Sequence, residues 1–333
     1  MDASLLWLQL AGAAGIILFA ATFMASSADV IALRTGLGRT FIGVVMLATA
    51  TSLPELGTGV SSIVWLDEPD LAAGDAFGSN VFNLLIIGLL DFFWRNGPLL
   101  NRVSAGAVLI AALGVLVIGI AGASIFLHQE LDIASGSFLS PLSVVILAAF
   151  VASMWILYKS EQGNDDADDE EEPAMSMQRA FTIYGISATT VVVAAIWLAN
   201  VGDGLAEELD LERSFIGTQF LALSTSLPEL AASIAAIRLG APELAISNVL
   251  GSNLFNMGFI LFMDDLVYTD GPVWEVVDPV HIFTAILAML MTAIVIIALV
   301  TQERGRPGRF FTFEAVMLLG LYIGGSTLIF QMS

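Results

Sequence analysis

Apolar residues fall along this chain in long continuous blocks, without the alternation of a strand or the single stripe of a soluble helix. Val103–Leu127, Ile133–Tyr158 and Ala180–Gly202 contain no charge. Each is longer than the roughly 18 apolar residues that mark a membrane helix. Ten spans are predicted, at about 4–28, 41–65, 71–93, 103–127, 138–158, 179–201, 214–237, 242–263, 280–301 and 312–331. Lipid offers no partner to backbone N–H and C=O groups, so the spans must be helical. The expected fold class is an all-α polytopic membrane protein. The first block begins without a basic segment before it and reads as a membrane helix, not a cleaved signal.

The positive charges give these spans a direction. Arg34, Arg39, Arg95, Arg102, Lys159, Arg179, Arg238, Arg304, Arg306 and Arg309 all lie on the side reached after odd-numbered spans, and only Arg213 lies opposite. Positive residues collect on the cytoplasmic side. The expected topology therefore has both termini outside and the loop after the fifth span in the cytoplasm of a cell (plasma) membrane protein.

That loop, at 159–178, is acidic and has no aromatic residue, as expected of a flexible linker. It lacks the ordered ligand spacing and turn glycine of a calcium loop, so it reads as solvated linker and not as a calcium sensor. The whole chain is 57% hydrophobic and 13% charged, with a net charge of −21. The sign excludes nucleic acid as a partner, and the acid surplus resembles that of proteins from salt-loving microbes. There is no cysteine, so neither a disulfide nor a thiolate site can form.

Two interruptions of the apolar pattern repeat each other. Phe41–Leu56 reads FIGVVMLATATSLPEL, and Phe215–Leu230 reads FIGTQFLALSTSLPEL. Asp29 and Asp203 precede them at the same separation. GSNVFNLLIIG at Gly78–Gly88 corresponds to GSNLFNMGFIL at Gly251–Leu261, with one residue lost in the turn between. The expected organisation is a five-helix repeat at 1–158 with its motif at 41–93, the linker, and a second repeat at 179–333 with its motif at 214–263. Five is an odd number, so the second copy enters the membrane from the opposite side. Inverted repeats build secondary transporters whose site lies near the midplane, where interrupted helices meet.

The motif residues suggest what such a site would hold. Pro54 and Pro228 lack an N–H, which frees the carbonyls of Ala50 and Ser224 and kinks each helix. Thr51, Ser52, Thr225 and Ser226 add hydroxyls beside the kinks. Glu55 is the only charge between Thr40 and Leu66, and Glu229 the only one between Ser214 and Ile237. A mid-membrane carboxylate costs about 2.5–3.5 kcal/mol or more, and no span supplies a basic partner. The two glutamates must be protonated or hold cations. Ser79 and Asn83, like Ser252 and Asn256, are four residues apart and share a helix face. Gly78 and Gly251 permit close helix approach. Such an all-oxygen set suits Ca2+ or Na+ and not zinc or copper.

This doubled motif resembles the α-1 and α-2 repeats of the sodium/calcium exchanger family, within the cation/calcium antiporters. The resemblance extends over the ten spans and the inside loop. It implies that Glu55 and Glu229 are the central calcium ligands and also face sodium. By the same resemblance, Thr51 and Thr225 lend oxygens, Ser52, Ser226, Ser79 and Ser252 line sodium sites, Ala48 and Ala222 lend carbonyls, and Asn83 and Asn256 complete the set. No cofactor is implied. The partners are the transported Ca2+ and Na+ and the lipid bilayer.

Three departures from the family stand out. Asn256 replaces the Asp of the potassium-dependent members, which argues against potassium co-transport. Ala50 and Ser224 replace the usual glycine before TSLPE. Asp75 stands where the second repeat has Asn248, and it reads as a helix-start cap, with attraction of cations as the alternative. Asp29 and Asp203 read as membrane-edge caps, and His128 and His281 as ordinary interfacial residues. The expected activity is Na+/Ca2+ antiport by alternating access, with three Na+ per Ca2+. A proton/calcium antiporter is the nearest alternative. A channel is disfavoured by the inverted repeat, and an intramembrane enzyme by the lack of a catalytic set in the spans.

Overall fold

The computed structural model describes residues 3–94, 98–131, 133, 137–161, 175–208, 222–301 and 312–332. Among these the regular structure is entirely helical. The first span is α1, Ala3–Thr35. The second is a broken helix: α2, Gly38–Ile42, runs through a π-helical stretch, Gly43–Ala48, and a turn, Thr49–Thr51, into α3, Leu53–Val64. Its two parts meet at 41°. Next come α4, Pro69–Phe93, α5, Ala105–Leu131, α6, Pro141–Glu161, and α7, Met177–Glu208.

The second half continues with helical residues 222–225 and α8, Leu227–Arg238. The eighth span is α9, Pro242–Phe255, a π-helical turn, Asn256–Ile260, and α10, Leu261–Val267. Helices α11, Val280–Thr301, and α12, Phe313–Met332, complete it. Among the described residues, eight helices are long and apolar enough to cross a membrane, and the bent pair makes a ninth. Residues 222–238 are the described part of the seventh predicted span. The rest of that predicted span, with Arg213, lies outside the described residues, as do 162–174 of the linker.

Burial sorts the spans by role. In the span Pro242–Val267, 94% of the membrane window is buried inside the protein, and in Pro69–Phe93 it is 72%. These two carry the GSN motifs. Pro141–Glu161 and Phe313–Met332, at 22% and 17%, lie at the periphery and face lipid. Between these extremes, α1 packs along α7 and α5 along α11, which pairs corresponding spans of the two halves.

Glycine sets how closely the halves meet. A Cβ on Gly251 would lie 2.9 Å from the Val44 Cα and 3.0 Å from the Ala48 Cβ, so only glycine lets α9 rest on the π-helical stretch of the second span. Gly78 faces Ala222 more loosely, where an added Cβ would sit at 3.4 Å, an ordinary contact.

Asp29 is not a cap. It lies within α1 and forms an ion pair with Arg39, 2.6 Å from Oδ1 to Nε. The side chain of Asp203 is outside the described residues. His128 accepts or donates between the Ser124 carbonyl and the Ser140 hydroxyl, while His281 meets Asp70 at 3.2 Å and stacks on Phe77. Both histidines tie helix ends together.

Gly251→Val is expected to destabilise the protein by about 1–3 kcal/mol, the usual cost of overpacking. Gly320→Ala, with nothing within 4 Å of the added carbon, is expected to stay within about 0.5 kcal/mol of the parent. Thermal unfolding of the purified protein in detergent measures both.

Candidate cation site

Each TSLPE motif breaks its helix at the serine. Ser52 has φ −89° and ψ 4°, and Ser226 has φ −85° and ψ 4°. The proline then occupies the first turn of a new helix, where its missing N–H costs nothing. The amide of Ser52 reaches the Ala48 carbonyl at 2.9 Å, and that of Ser226 the Ala222 carbonyl at 3.0 Å. The threonine hydroxyls donate to the same two carbonyls, Thr51 to Ala48 at 3.3 Å and Thr225 to Ala222 at 3.2 Å. These carbonyls therefore face the kink and are already shared within it.

The glutamates follow one residue after each proline, and both are buried. Each is held by the opposite repeat. The Ser52 hydroxyl donates to Glu229 Oε1 at 3.1 Å, and the Ser226 hydroxyl donates to Glu55 Oε1 at 3.2 Å. Ser252 adds a third donor, to Glu229 Oε1 at 3.2 Å. In both glutamates Oε2 is buried and has no hydrogen-bond partner among the described residues.

The GSN helices close the site. The Asn83 amide donates to Asn253 Oδ1 at 3.0 Å, while Asn83 Oδ1, Ser79 Oγ and both amide atoms of Asn256 are buried without a partner. Buried polar groups are nearly always satisfied. The unpartnered oxygens of Glu55, Glu229, Ser79, Asn83 and Asn256 are therefore candidate cation ligands. The twelve residues singled out by the motifs lie in the two kinks and on the two GSN helices, and of these Ser52, Ser226 and Ser252 bond the glutamates directly.

Four further polar residues join it. Asn80 and Asn253 bond each other's backbone reciprocally: Asn80 Nδ2 donates to the Asn253 carbonyl at 3.4 Å, and Asn253 Nδ2 to the Asn80 carbonyl at 3.2 Å. They are the last letters of the two GSN motifs, so the motif itself held the signal. The Thr51 hydroxyl reaches Asn248 Oδ1 at 3.4 Å. At the corresponding place, the Thr225 hydroxyl donates to Asp75 Oδ1 at 3.1 Å, and Thr58 donates to Asp75 Oδ2 at 2.6 Å.

Asp75 is therefore not a helix cap. It lies well inside α4, is 1% exposed, and is a third carboxylate beside the two glutamates. Its pairing with Asn248 in sequence was the visible sign of this. One symmetry element fails: Asn256 does not reach Asn80, as Asn83 reaches Asn253. The π-helical turn beginning at Asn256 re-aims that side chain. Such turns are frequent at functional sites.

Asn80→Ala and Asn253→Ala are each expected to destabilise by about 1–3 kcal/mol, because each leaves a buried partner unpaired. The double variant is expected to cost the sum of the two within about 0.5 kcal/mol, since each change removes a different side-chain-to-backbone bond. A double-mutant cycle on unfolding measures the difference.

Comparisons with known proteins agree with this geometry. The family model described as Sodium/calcium exchanger protein matches residues 5–159 and 180–331. The chain is 26% identical to the inner membrane protein YrbG of Escherichia coli (strain K12) over 333 residues, covering 96% of this chain and 94% of that protein. It is 31% identical over 150 residues to the sodium/calcium exchanger MaX1 of Methanosarcina acetivorans, covering 45% of this chain and 40% of that one. The fold matches the structure of the sodium-calcium exchanger NCX_Mj soaked with Na+ and Sr2+, with a TM-score of 0.73 over 98% of this chain and 99% of that chain, at 21% identity. A family match over both halves, on a helical fold of two inverted repeats, makes this chain a member of the sodium/calcium exchanger family, a cation antiporter of the membrane and not an enzyme.

Proposed function

We propose that this protein exchanges Na+ for Ca2+ across the membrane by alternating access, with three Na+ moving against one Ca2+ and no requirement for potassium. The observation that carries the reading is the convergence of Glu55 and Glu229, one from each repeat, each held by the other repeat's serine and each with one unpartnered buried oxygen. MaX1 is named a sodium/calcium exchanger, which supports the same pair of ions.

In this reading Glu55 and Glu229 are shared by both ions, so calcium and sodium compete for one set of oxygens. Ser52, Ser226, Ser79, Ser252, Thr51, Thr225, Asn83 and Asn256 complete the coordination, with the carbonyls of Ala48 and Ala222. A loaded site can be sealed from water and carried past the midplane. An unloaded site would leave carboxylates uncompensated in low dielectric, which is costly. That penalty blocks the unloaded return and enforces exchange. Asp75 shifts the charge of both loaded states equally, so it leaves the net transfer of one positive charge per cycle unchanged. Asn256 supplies a neutral amide where the potassium-dependent members carry Asp, in line with potassium independence.

The proposed orientation puts the 159–178 linker in the cytoplasm and both termini outside a cell membrane. Arg34, Arg39 and Arg102 lie on the linker's side, and Arg34 donates to the Met175 carbonyl at 2.8 Å.

The test is uptake of 45Ca2+ by proteoliposomes loaded with Na+ or with choline, each with and without a pH gradient. Uptake that needs internal Na+ and ignores the pH gradient is expected. Uptake that follows the pH gradient and ignores Na+ would move the protein to proton coupling. Glu55→Gln and Glu229→Gln are each expected to abolish this flux while the protein still elutes as folded material. With Na+ and Ca2+ gradients fixed, the transport current is expected to reverse with voltage. Electroneutral exchange would rule out three to one.

A further inference from the structure

One buried acid is used neither by the central site nor by the fold. Helix α10 carries the pair Asp264–Asp265, and the two side chains have different environments. Asp265 accepts from the Ser140 amide at 2.9 Å, the Ser143 hydroxyl at 2.6 Å and the Val273 amide at 2.7 Å. Asp264 is 2% exposed, and neither of its oxygens has a hydrogen-bond partner among the described residues.

The repeat explains the division of labour. Asp91, in the first half, accepts from the Leu99 amide eight residues on, and from the amide and hydroxyl of Thr312 where the tenth span begins. Asp265 does the same: it binds the amide eight residues on and the start of the fifth span. Asp265 is thus the counterpart of Asp91. The π-helical turn at Asn256–Ile260 restores the residue lost earlier between the motifs, which puts Leu90 opposite Asp264. Leu90 is fully buried. The fold therefore accepts an apolar side chain at this position, and the charge of Asp264 has no structural duty.

Two other departures from symmetry lie beside it. Gly59 of α3 stands where the second repeat has Ser233, and a Cβ there would lie 2.8 Å from Asp264 Oδ1. The missing side chain makes room for the carboxylate. Gly59 is four residues beyond Glu55, about 6 Å along the helix and on its face. Asp75, in place of Asn248, is held by Thr58 and Thr225, and Thr58 adjoins Gly59, the residue against Asp264. Farther out, exposed Asp67, Asp270 and Glu275 surround Tyr268, just past the end of α10. Carboxylates thus run from that surface through Asp264 and Asp75 to Glu55.

We propose that Asp264, with Asp75, forms a second Ca2+ station on the access route from the acidic surface around Tyr268 to the central site. It lies on one side of the membrane only, because the first repeat has leucine at the matching position. Two carboxylates with hydroxyl and water oxygens suit a divalent hard cation, and one Ca2+ neutralises the pair. The inference rests on the central site also binding Ca2+.

Equilibrium binding of 45Ca2+ to the full-length protein in sodium-free detergent solution tests it. The parent is expected to bind two Ca2+ per chain, Asp264→Leu one, Glu229→Gln one, and the double variant none. Leucine is the residue that the repeat accepts here, and the isosteric Asp264→Asn, expected also to bind one, guards against a packing defect. One Ca2+ in the parent that survives Asp264→Leu and Asp264→Asn but is lost in Glu229→Gln would overturn the station and leave the exchanger reading intact. Two Ca2+ in Glu229→Gln, falling to one in Asp264→Leu, would keep the station and remove Glu229 from the central site.

Discussion

Two carboxylates without a basic partner, buried at mid-membrane depth, are the constraint around which this protein is organised. Charge in low dielectric is tolerated only when it is compensated. Among the described residues, no lysine or arginine pairs with Glu55 or Glu229. Compensation comes instead from hydroxyl donors on the opposite repeat and from room for cations among unpartnered oxygens. The kinks, the small residues at Gly78 and Gly251 and the buried GSN helices all bring oxygen close to those two groups. The same constraint supplies the transport logic, since the site is inexpensive to move only when loaded.

The inverted repeat makes compensation reciprocal. Ser52 serves Glu229 and Ser226 serves Glu55, while Asn80 and Asn253 clasp each other's backbone. Neither half can complete its own site, so the halves cannot separate without exposing buried polar groups. The places where the symmetry fails are equally informative. The π turn at Asn256 re-aims one amide and restores register beyond it, so that Asp265 matches Asp91 in its hydrogen bonds. Asp75, Gly59 and Asp264 concentrate extra negative charge on one side of the centre. A two-fold scaffold thus holds a site whose two approaches differ electrostatically.

Hydropathy and the doubled motif made much of this readable in the linear chain. Span edges from the apolar blocks fall within a few residues of α4, α5, α6, α11 and α12, because lipid forces helix wherever a run is apolar enough. The first and sixth spans extend further, to Thr35 and Glu208, because the helices continue past their apolar blocks into polar residues. The glutamates were legible because an isolated charge in such a run has no inexpensive structural explanation. Asp75 was misjudged for the opposite reason. Seven residues into its helix and close to a predicted span edge, it had an ordinary local role available, and only its contact with Thr225, 150 residues away, excludes that role.

The sequence by itself determined the membrane class, the repeat, its inversion and the oxygen chemistry of the centre, because these follow from periodicity, parity and side-chain type. Tertiary structure alone decided which oxygens are already satisfied and which are left for a cation. It also decided that Ala48 and Ala222 carbonyls are shared within their kinks, and that of two adjacent aspartates one is clamped and the other is free. The physical reason is that hydrogen-bond saturation is a property of position in space. Neighbours more than a hundred residues apart set it, and no local pattern records them.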